Sequence, residues 1–345
     1  SAMDHATIVA TITAADNVNN VAAGIGDSFA FAQPAMVTAF FESPNVFENE
    51  TAVLFGDILY VAANTDYVLV VDWGDPNSPA PSTFMLPNAL GLSIGVPIAS
   101  TTDDNLGLSI TWVDEPSGII SYQVWHQYLD DGSSIDGNGT QSDISSITVS
   151  ITNSAGTNST GTDLVVQNRE PFLFANLSNG WMYEGDSTTI FGEFSDLGTS
   201  DRHNLSIYWN DLYNPVQWEF AIAPASELTI GQVISSDADE GSLTITWIDS
   251  FSGSVGFETS SHQYVDDDNS ASSDIYLTLS DDDGASFQSL LNANVTNVDP
   301  QISFYGFEQP LLENTPLTIY GSFADVGLQD QHNMIIVWGS SLTGY

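Results

Sequence analysis

The chain has 345 residues, and its 45 acidic side chains face no lysine and two arginines, Arg169 and Arg202, giving a formal net charge of −43. That balance excludes a nucleic-acid backbone or an anionic membrane surface as a partner, since both are held through Lys and Arg, and the lack of lysine excludes a lysine–asparagine isopeptide staple. The absence of cysteine removes disulfides and thiolate metal sites. Like charge at this density opposes the compact state unless cations screen it or bind to it. The 42 % of hydrophobic residues still supplies a core, so the acidity does not imply disorder.

In chain order, the first clear element is Thr7–Thr13, where apolar residues alternate with Thr. Tyr67–Asp72 runs apolar into Trp73, and the turn residues Gly74-Asp-Pro76 follow. Asp130-Asp-Gly132 closes the phrase His126-Gln-Tyr-Leu-Asp-Asp131. Ser146–Thr152 alternates again and ends in Asn153-Ser-Ala-Gly156. Ser242–Trp247 and Asp274–Ser280 repeat the pattern, the latter ending in Asp281-Asp-Asp-Gly284. A period of two with Thr or Ser on the wet face predicts strands with one buried side. No window of a dozen residues carries a helical period, and no run approaches the ~18 apolar residues of a membrane span. The prediction is an all-β protein built from sandwiches.

Two phrases recur. Glu193–Trp209 (EFSDLGTSDRHNLSIYW) matches Ser322–Trp338 (SFADVGLQDQHNMIIVW), with a looser copy leading to Trp73. Trp73, Trp209 and Trp338 lie 136 and 129 residues apart, and Gly56, Gly192 and Gly321 keep both intervals. His126-Gln-Tyr-Leu-Asp-Asp131 returns as His262-Gln-Tyr-Val-Asp-Asp267, again offset by 136. A shared period means a tandem array. Cutting by it gives closing strands of one repeat (1–33), two full repeats (34–169 and 170–300) and the first half of another (301–345). An alternative phase cuts at 1–80, 81–216 and 217–345.

The Gly-Xaa-Phe-Xaa-Asp-Xaa-Gly-Xaa-Xaa-Asp-Xaa-His phrase running into Trp resembles the polycystic-kidney-disease (PKD) domain family, in the long-repeat form of giant bacterial and archaeal surface proteins. The later His-Gln-Tyr-Xaa-Asp-Asp and Trp73-Gly-Asp75 carry the same resemblance, with Asn210-Asp211 and Gly339-Ser340 as degenerate copies. It implies immunoglobulin-like β-sandwiches used as spacers or adhesive modules. The distance from Trp73 to His126 leaves about 30 to 40 residues, including Trp112 and Trp247, as an extra hairpin or strands in each repeat.

The acidic residues of the shared phrases are the candidate ligands. Asp196 and Asp201, and again Asp325 and Asp330, stand in the short loop before the Trp strand. Glu184 and Glu313 sit 12 residues earlier, with Glu48 as the first-repeat counterpart. Asp266 and Asp267 follow the His-Gln-Tyr strand. Hard oxygen ligands on turns suit Ca²⁺, which takes roughly six to eight of them, and the family resemblance implies calcium near this loop. The plainer alternative is that these aspartates cap turns through their own backbone and solubilise the surface. Tyr60 and Thr65 replace both loop aspartates in the first repeat. Asp281-Asp-Asp-Gly284 reads as a hairpin turn.

A repeated His at a strand end reads as a donor to a backbone carbonyl beside an aromatic, with no spacing for zinc. No nucleophile elbow or phosphate loop is present, and no carboxylate pair stands out for hydrolysis, so the chain reads as non-enzymatic. Trp125, Trp181, Tyr213 and Trp218 fall outside the shared positions and are the aromatics expected at the surface. The reading is a calcium-stabilised structural module of an extracellular, cell-surface or filament-forming protein. Its partners are neighbouring repeats or further copies, joined head-to-tail by β-strand complementation. The alternative is a carbohydrate-binding, adhesive region of a secreted protein, with surface glycans as partners.

Overall fold

The computed structural model describes residues 34–102, 107–131, 139–236, 241–267, 273–308 and 313–338. The segment 1–33, where a strand is expected at Thr7–Thr13, together with Gly132, Asp268 and Gly339-Ser340, lies outside them. Strands dominate the rest, and the short element Ala89–Gly91 is a single 3₁₀ turn.

Two sandwiches follow one another. In the second, one sheet runs Phe172–Leu177, Ile190–Ser195, Ser254–Thr259, Ser242–Asp249, Val233–Ser235; the other runs Trp181–Tyr183, Ser286–Thr296, Ser273–Asp281, His203–Tyr208, Gln217–Ile222. The first repeats this plan, from Met36–Val37 through Thr51–Leu59 and Ile119–Gln127 to Leu108–Asp114, facing a sheet made of Asn45–Phe47, Gly156–Gln167, Ser142–Asn153, Tyr67–Asp72 and Ser82–Leu86. Sequence-distant strands pair in immunoglobulin order, with the opening segment split between both sheets. The residues between the Trp and His strands do not project as a hairpin. They extend both sheets, Ser82–Leu86 and Gln217–Ile222 joining one, Leu108–Asp114 and Ser242–Asp249 the other. Trp112 and Trp247 sit at β-bulges opposite Ser121 and Gly256.

The alternation in sequence becomes alternation in burial. In Thr51–Leu59 every second residue, Ala52, Leu54, Gly56 and Ile58, is buried. One core cluster runs from Ala35 to Val166 around Tyr67, Trp73, Phe84, Tyr122 and Tyr128. A separate one runs from Leu173 to Val295 around Phe194, Trp209, Phe220, Phe257 and Tyr264. Burying each such side chain contributes about 1.5–3 kcal/mol, so the apolar stripes of the strands drive each closure. Beyond the second sandwich, Gln301–Phe307 and Ile319–Ala324 form an antiparallel pair.

Strand direction gives each sandwich two different ends. Asn45–Phe47 and Trp181–Tyr183 run parallel to the last strands, Gly156–Gln167 and Ser286–Thr296. Both therefore finish where the linkers 168–171 and 297–300 leave. Thr51 pairs with Gln127, which brings the corner at Tyr128–Asp131 to that same exit end. The loop 196–202 and the turn 281–286 lie at the entry end, beside each other because His203 pairs with Asp281. Exit end meets entry end at each junction.

Candidate metal centre at the repeat junctions

The first junction is built around Glu48, whose backbone N–H is bound to the Gln167 carbonyl at 3.0 Å. Its Oε1 accepts the Arg169 N–H of the linker at 2.5 Å, which turns the carboxylate toward the next sandwich. There it meets Asp196 and Asp201 of the entry loop, and ligand atoms of the three residues all lie within 4.8 Å of one another. Glu48 is 0 % exposed, Asp196 3 % and Asp201 1 %. Asp196 is tied down, with Oδ1 accepting from Gly198 N at 3.2 Å and Oδ2 3.0 Å from His203 Nε2. Glu48 Oε2 and both carboxylate oxygens of Asp201 have no hydrogen-bond donor among the described residues.

Two unit charges 4.8 Å apart repel by about 3.5 kcal/mol at an effective dielectric constant of about 20. Three such pairs amount to roughly 10 kcal/mol, as large as the ~5–15 kcal/mol stability of a whole domain. The carboxyls must therefore hold protons or share a cation. Without a cation, burial pushes Glu48 up to about 9, with the neighbouring Asp196, Asp131 and Asp130 adding to the rise. Burial likewise pushes Asp201 up to about 11, reinforced by Glu48 and Asp196. The Arg169 guanidinium lies over the Phe47 ring and bonds Glu50, and Arg202 lies 3.7 Å from Glu227.

The second junction repeats the arrangement. Glu184 N binds the Thr296 carbonyl, and Glu184 Oε1 accepts from Val298 N at 2.7 Å. Glu184 groups with Asp266 and Asp267 of its own sandwich and Asp330 of the next, and Asp330 also groups with Asp325 and His332. Burial raises Glu184, helped by Asp330, Asp325 and Asp266. Leu328 N donates to the Val265 carbonyl at 3.4 Å across the junction. Gly198 and Gly327 occupy the same loop position, where a Cβ would come within 2.2 Å of Asp201 Oδ2 or 2.6 Å of Glu184 Oε2. A side chain there would have to push the carboxylates aside, so glycine suits the loop's close approach to them.

The sequence groups Glu184 with Asp196 and Asp201; the structure does not. Glu184 lies at the exit end and meets Asp330, while Asp196 and Asp201 meet Glu48 of the preceding sandwich. Glu313 is exposed and joins no such group among the described residues. Sequence reasoning missed Asp130, Asp131, Asp282 and Asp283, which form two further groups at the first junction. Asp130 and Asp131 stand 136 residues before Asp266 and Asp267, so the repeat period could have found them. Asp281 does cap the hairpin turn, its Oδ1 accepting from Asp283 N and Ala285 N.

The described histidines bond carboxylates, not the backbone carbonyls expected. His126 Nε2 lies 2.8 Å from Asp75 Oδ2, stacks on Trp73 and meets the edge of Tyr128. His262 repeats this with Asp211, Trp209 and Tyr264. In both, the tyrosine hydroxyl donates to the tryptophan carbonyl. His203 and His332 hold Asp196 and Asp325. Of the aromatics expected at the surface, Trp181 is 77 % exposed and Tyr213 37 %, Trp125 is half-buried, and Trp218 is buried against Trp209.

No family model and no curated protein matches the sequence. Among solved structures, the chain is similar to the adhesin InvE of Yersinia pseudotuberculosis, at 11 % identity and TM-score 0.33 over 75 % of this chain and 59 % of that one. It is similar to the amphioxus IgVJ-C2 molecule, at 8 % identity and TM-score 0.33 over 72 % and 99 %. It is also similar to titin domains Z1Z2 in complex with telethonin, at 11 % identity and TM-score 0.29 over 77 % and 95 %. The sandwich architecture rests on the strand ladders themselves. No described helix is long and apolar enough to cross a membrane.

Proposed function

We propose that this chain is a non-catalytic, load-bearing segment of an extracellular surface protein, whose sandwiches are fixed end to end by Ca²⁺ at the junctions. One observation carries the reading. Carboxylates from two successive repeats converge, Glu48 with Asp196 and Asp201 in a buried space, and Glu184 with the partly exposed Asp330. Hard oxygen donors without nitrogen or sulfur suit Ca²⁺ over softer metals. Because the ligands come from both sides, the ion would set the angle between sandwiches as well as adding stability. The test is small-angle scattering of the full chain with Ca²⁺ and with excess chelator. A long maximum dimension that collapses or broadens in chelator is the expected result; identical profiles would sink the reading.

The pair Gln301–Phe307 and Ile319–Ala324 presents Ile302, Phe304 and Phe323 to solvent, beside exposed Ile335, Val337 and Trp338. An apolar sheet face exposed among the described residues invites added strands, which supports head-to-tail assembly with another copy. Concentration-dependent polymers that vanish on deleting residues 1–33 are the expected behaviour. A second reading, adhesion to glycans, is favoured by a shallow cleft lined by Phe174, Phe191 and Trp247, with Glu193 and Glu258 beside them. Glycan-array binding abolished by Trp247→Ala would favour that reading; no binding would remove it.

A further inference from the structure

We propose that the first junction holds a second cation, ligated by Asp130 and Asp131 from the exit corner of the first sandwich and by Asp283 from the entry turn of the second. The proposal rests on the calcium reading of the junctions and extends it to a turn outside the Glu48 site.

Asp130, Asp131 and Asp283 offer ligand atoms within 4.8 Å of one another, and their exposures are 3 %, 2 % and 0 %. Both carboxylate oxygens of Asp131 are buried with no N–H or hydroxyl donor among the described residues, the group they face being another carboxyl, that of Asp283. Water would solvate such a group and a protein donor would satisfy it; a cation does so in a closed, all-oxygen pocket. Asp201, Asp282 and Asp283 form a further group of the same dimensions. Asp201 thus belongs both to this group and to the Glu48 site, and Asp283 both to this group and to the Asp131 site. Carboxylates shared in this way are suited to bridging two ions.

Charge supports the count. Glu48, Asp130, Asp131, Asp196, Asp201, Asp282 and Asp283 are seven carboxylates in three overlapping groups. One divalent ion would leave five negative charges, two would leave three. The backbone around the turn is already fixed for the purpose. Arg202 N donates to Asp282 Oδ1 at 2.9 Å, Gly139 N of the first sandwich to the Asp282 carbonyl at 3.1 Å, and Asn168 Nδ2 of the linker to Asp281 Oδ2 at 3.0 Å. The turn is held against the first sandwich by bonds that leave Asp283 facing Asp131. The corresponding turn of the first sandwich, Asn153–Gly156, has no acidic residue, so the second ion belongs to this junction and not to the repeat as such.

The two ions use ligands that can be removed separately, because Glu48 and Asp131 share no group. The experiment counts Ca²⁺ bound to the chelator-stripped full chain by native mass spectrometry, with calorimetric titration as the check. Wild type is compared with Glu48→Gln, Asp131→Asn and the double variant. Each single variant is expected to lose one ion and the double variant two. A double variant that loses only one ion would mean a single shared ion and would overturn the proposal while leaving the junction reading intact. Asp131→Asn with the full wild-type count would overturn it equally. A wild type that binds no calcium would defeat the junction reading itself. Each substitution removes a charge from a like-charged cluster, so the variants are expected to fold, and circular dichroism checks this. Asp283→Asn provides an independent removal of the same ion.

Discussion

Replacing Asp201 by Asn separates the two states of the first junction most sharply. In the metal-free protein the Asp201 carboxyl is pushed from 3.8 up to about 11 by burial and by Glu48, Asp196 and Asp130. The folded form therefore binds a proton that the unfolded chain releases near pH 4, and stability falls as pH rises through that window. At pH 7, some three units above the ordinary value, the cost is on the order of 4 kcal/mol at 1.36 kcal/mol per unit. Asn matches the protonated acid in shape, carries no such cost, and its amide gives Glu48 a donor. In chelator at pH 7 the variant should be more stable than wild type by up to about 4 kcal/mol, a rise of several degrees for a sandwich of this size. Calcium offsets this disadvantage of the carboxylate. At a hundred times its dissociation constant one site contributes about 2.7 kcal/mol, and Asp201→Asn should lose most of that calcium-induced shift. Differential scanning calorimetry with and without chelator reads both effects. A variant that melts below wild type in chelator would refute the reasoning, because Asp201 would then be a structural hydrogen-bond partner and not a ligand waiting for an ion.

The same protonation should appear as pH dependence. Glu48 at about 9 and Asp131 at about 8 are both raised by burial and neighbouring carboxylates, so in chelator the melting temperature should fall from pH 5 to pH 8, and calcium addition at pH 7 should release protons measurable by pH-stat. A flat melting profile without metal would contradict the burial of these groups as charged residues. Removing His126 takes away the partner of the buried Asp75 Oδ2 beside Trp73 while Asn77 N still bonds Oδ1, and leaving a buried polar atom unsatisfied costs about 1–3 kcal/mol. His126→Ala should lower only the transition of the first sandwich and His262→Ala only that of the second, since the cores are separate; a single merged shift would show the sandwiches unfold as one unit.

The strands were legible because the alternation that marks them is local, and the tandem plan because the Trp and His phrases keep one spacing. What escaped was which acids meet. Glu184 is 12 residues from Asp196 in sequence, yet one stands at the exit end and the other at the entry end, because the chain crosses the sandwich between them. Proximity along the chain therefore grouped ligands belonging to different junctions. A similar limit hid Trp218. Its counterpart is Ser82, whose Oγ accepts from Trp73 Nε1 at 3.0 Å; in the second sandwich the Trp218 ring packs edge-on against Trp209 instead. One position solves the same core problem by a hydrogen bond in one repeat and by packing in the other, and no period announces which. Asn210 looks like a decayed copy of Gly74, but it takes the same left-handed backbone, at φ 50° against 64°, and delivers Asp211 to His262 as Gly74 delivers Asp75 to His126. The apparent degeneracy is a conservative solution.

The two ends of each sandwich are different surfaces of the same sign, and this decides what a junction can do. A lysine-rich partner end would let repeats bind by simple ion pairing, but the chain has no lysine. Exit carboxylates Glu48, Asp130 and Asp131 instead face entry carboxylates Asp196, Asp201 and Asp283. Without a cation the contact is repulsive or must be protonated; with divalent ions the same residues become a shared coordination shell. At both described junctions exit meets entry, so the contact between successive repeats is head-to-tail. On the calcium reading, the excess negative charge that opposes folding of each repeat is what makes their end-to-end stiffness depend on the metal content of the surrounding medium.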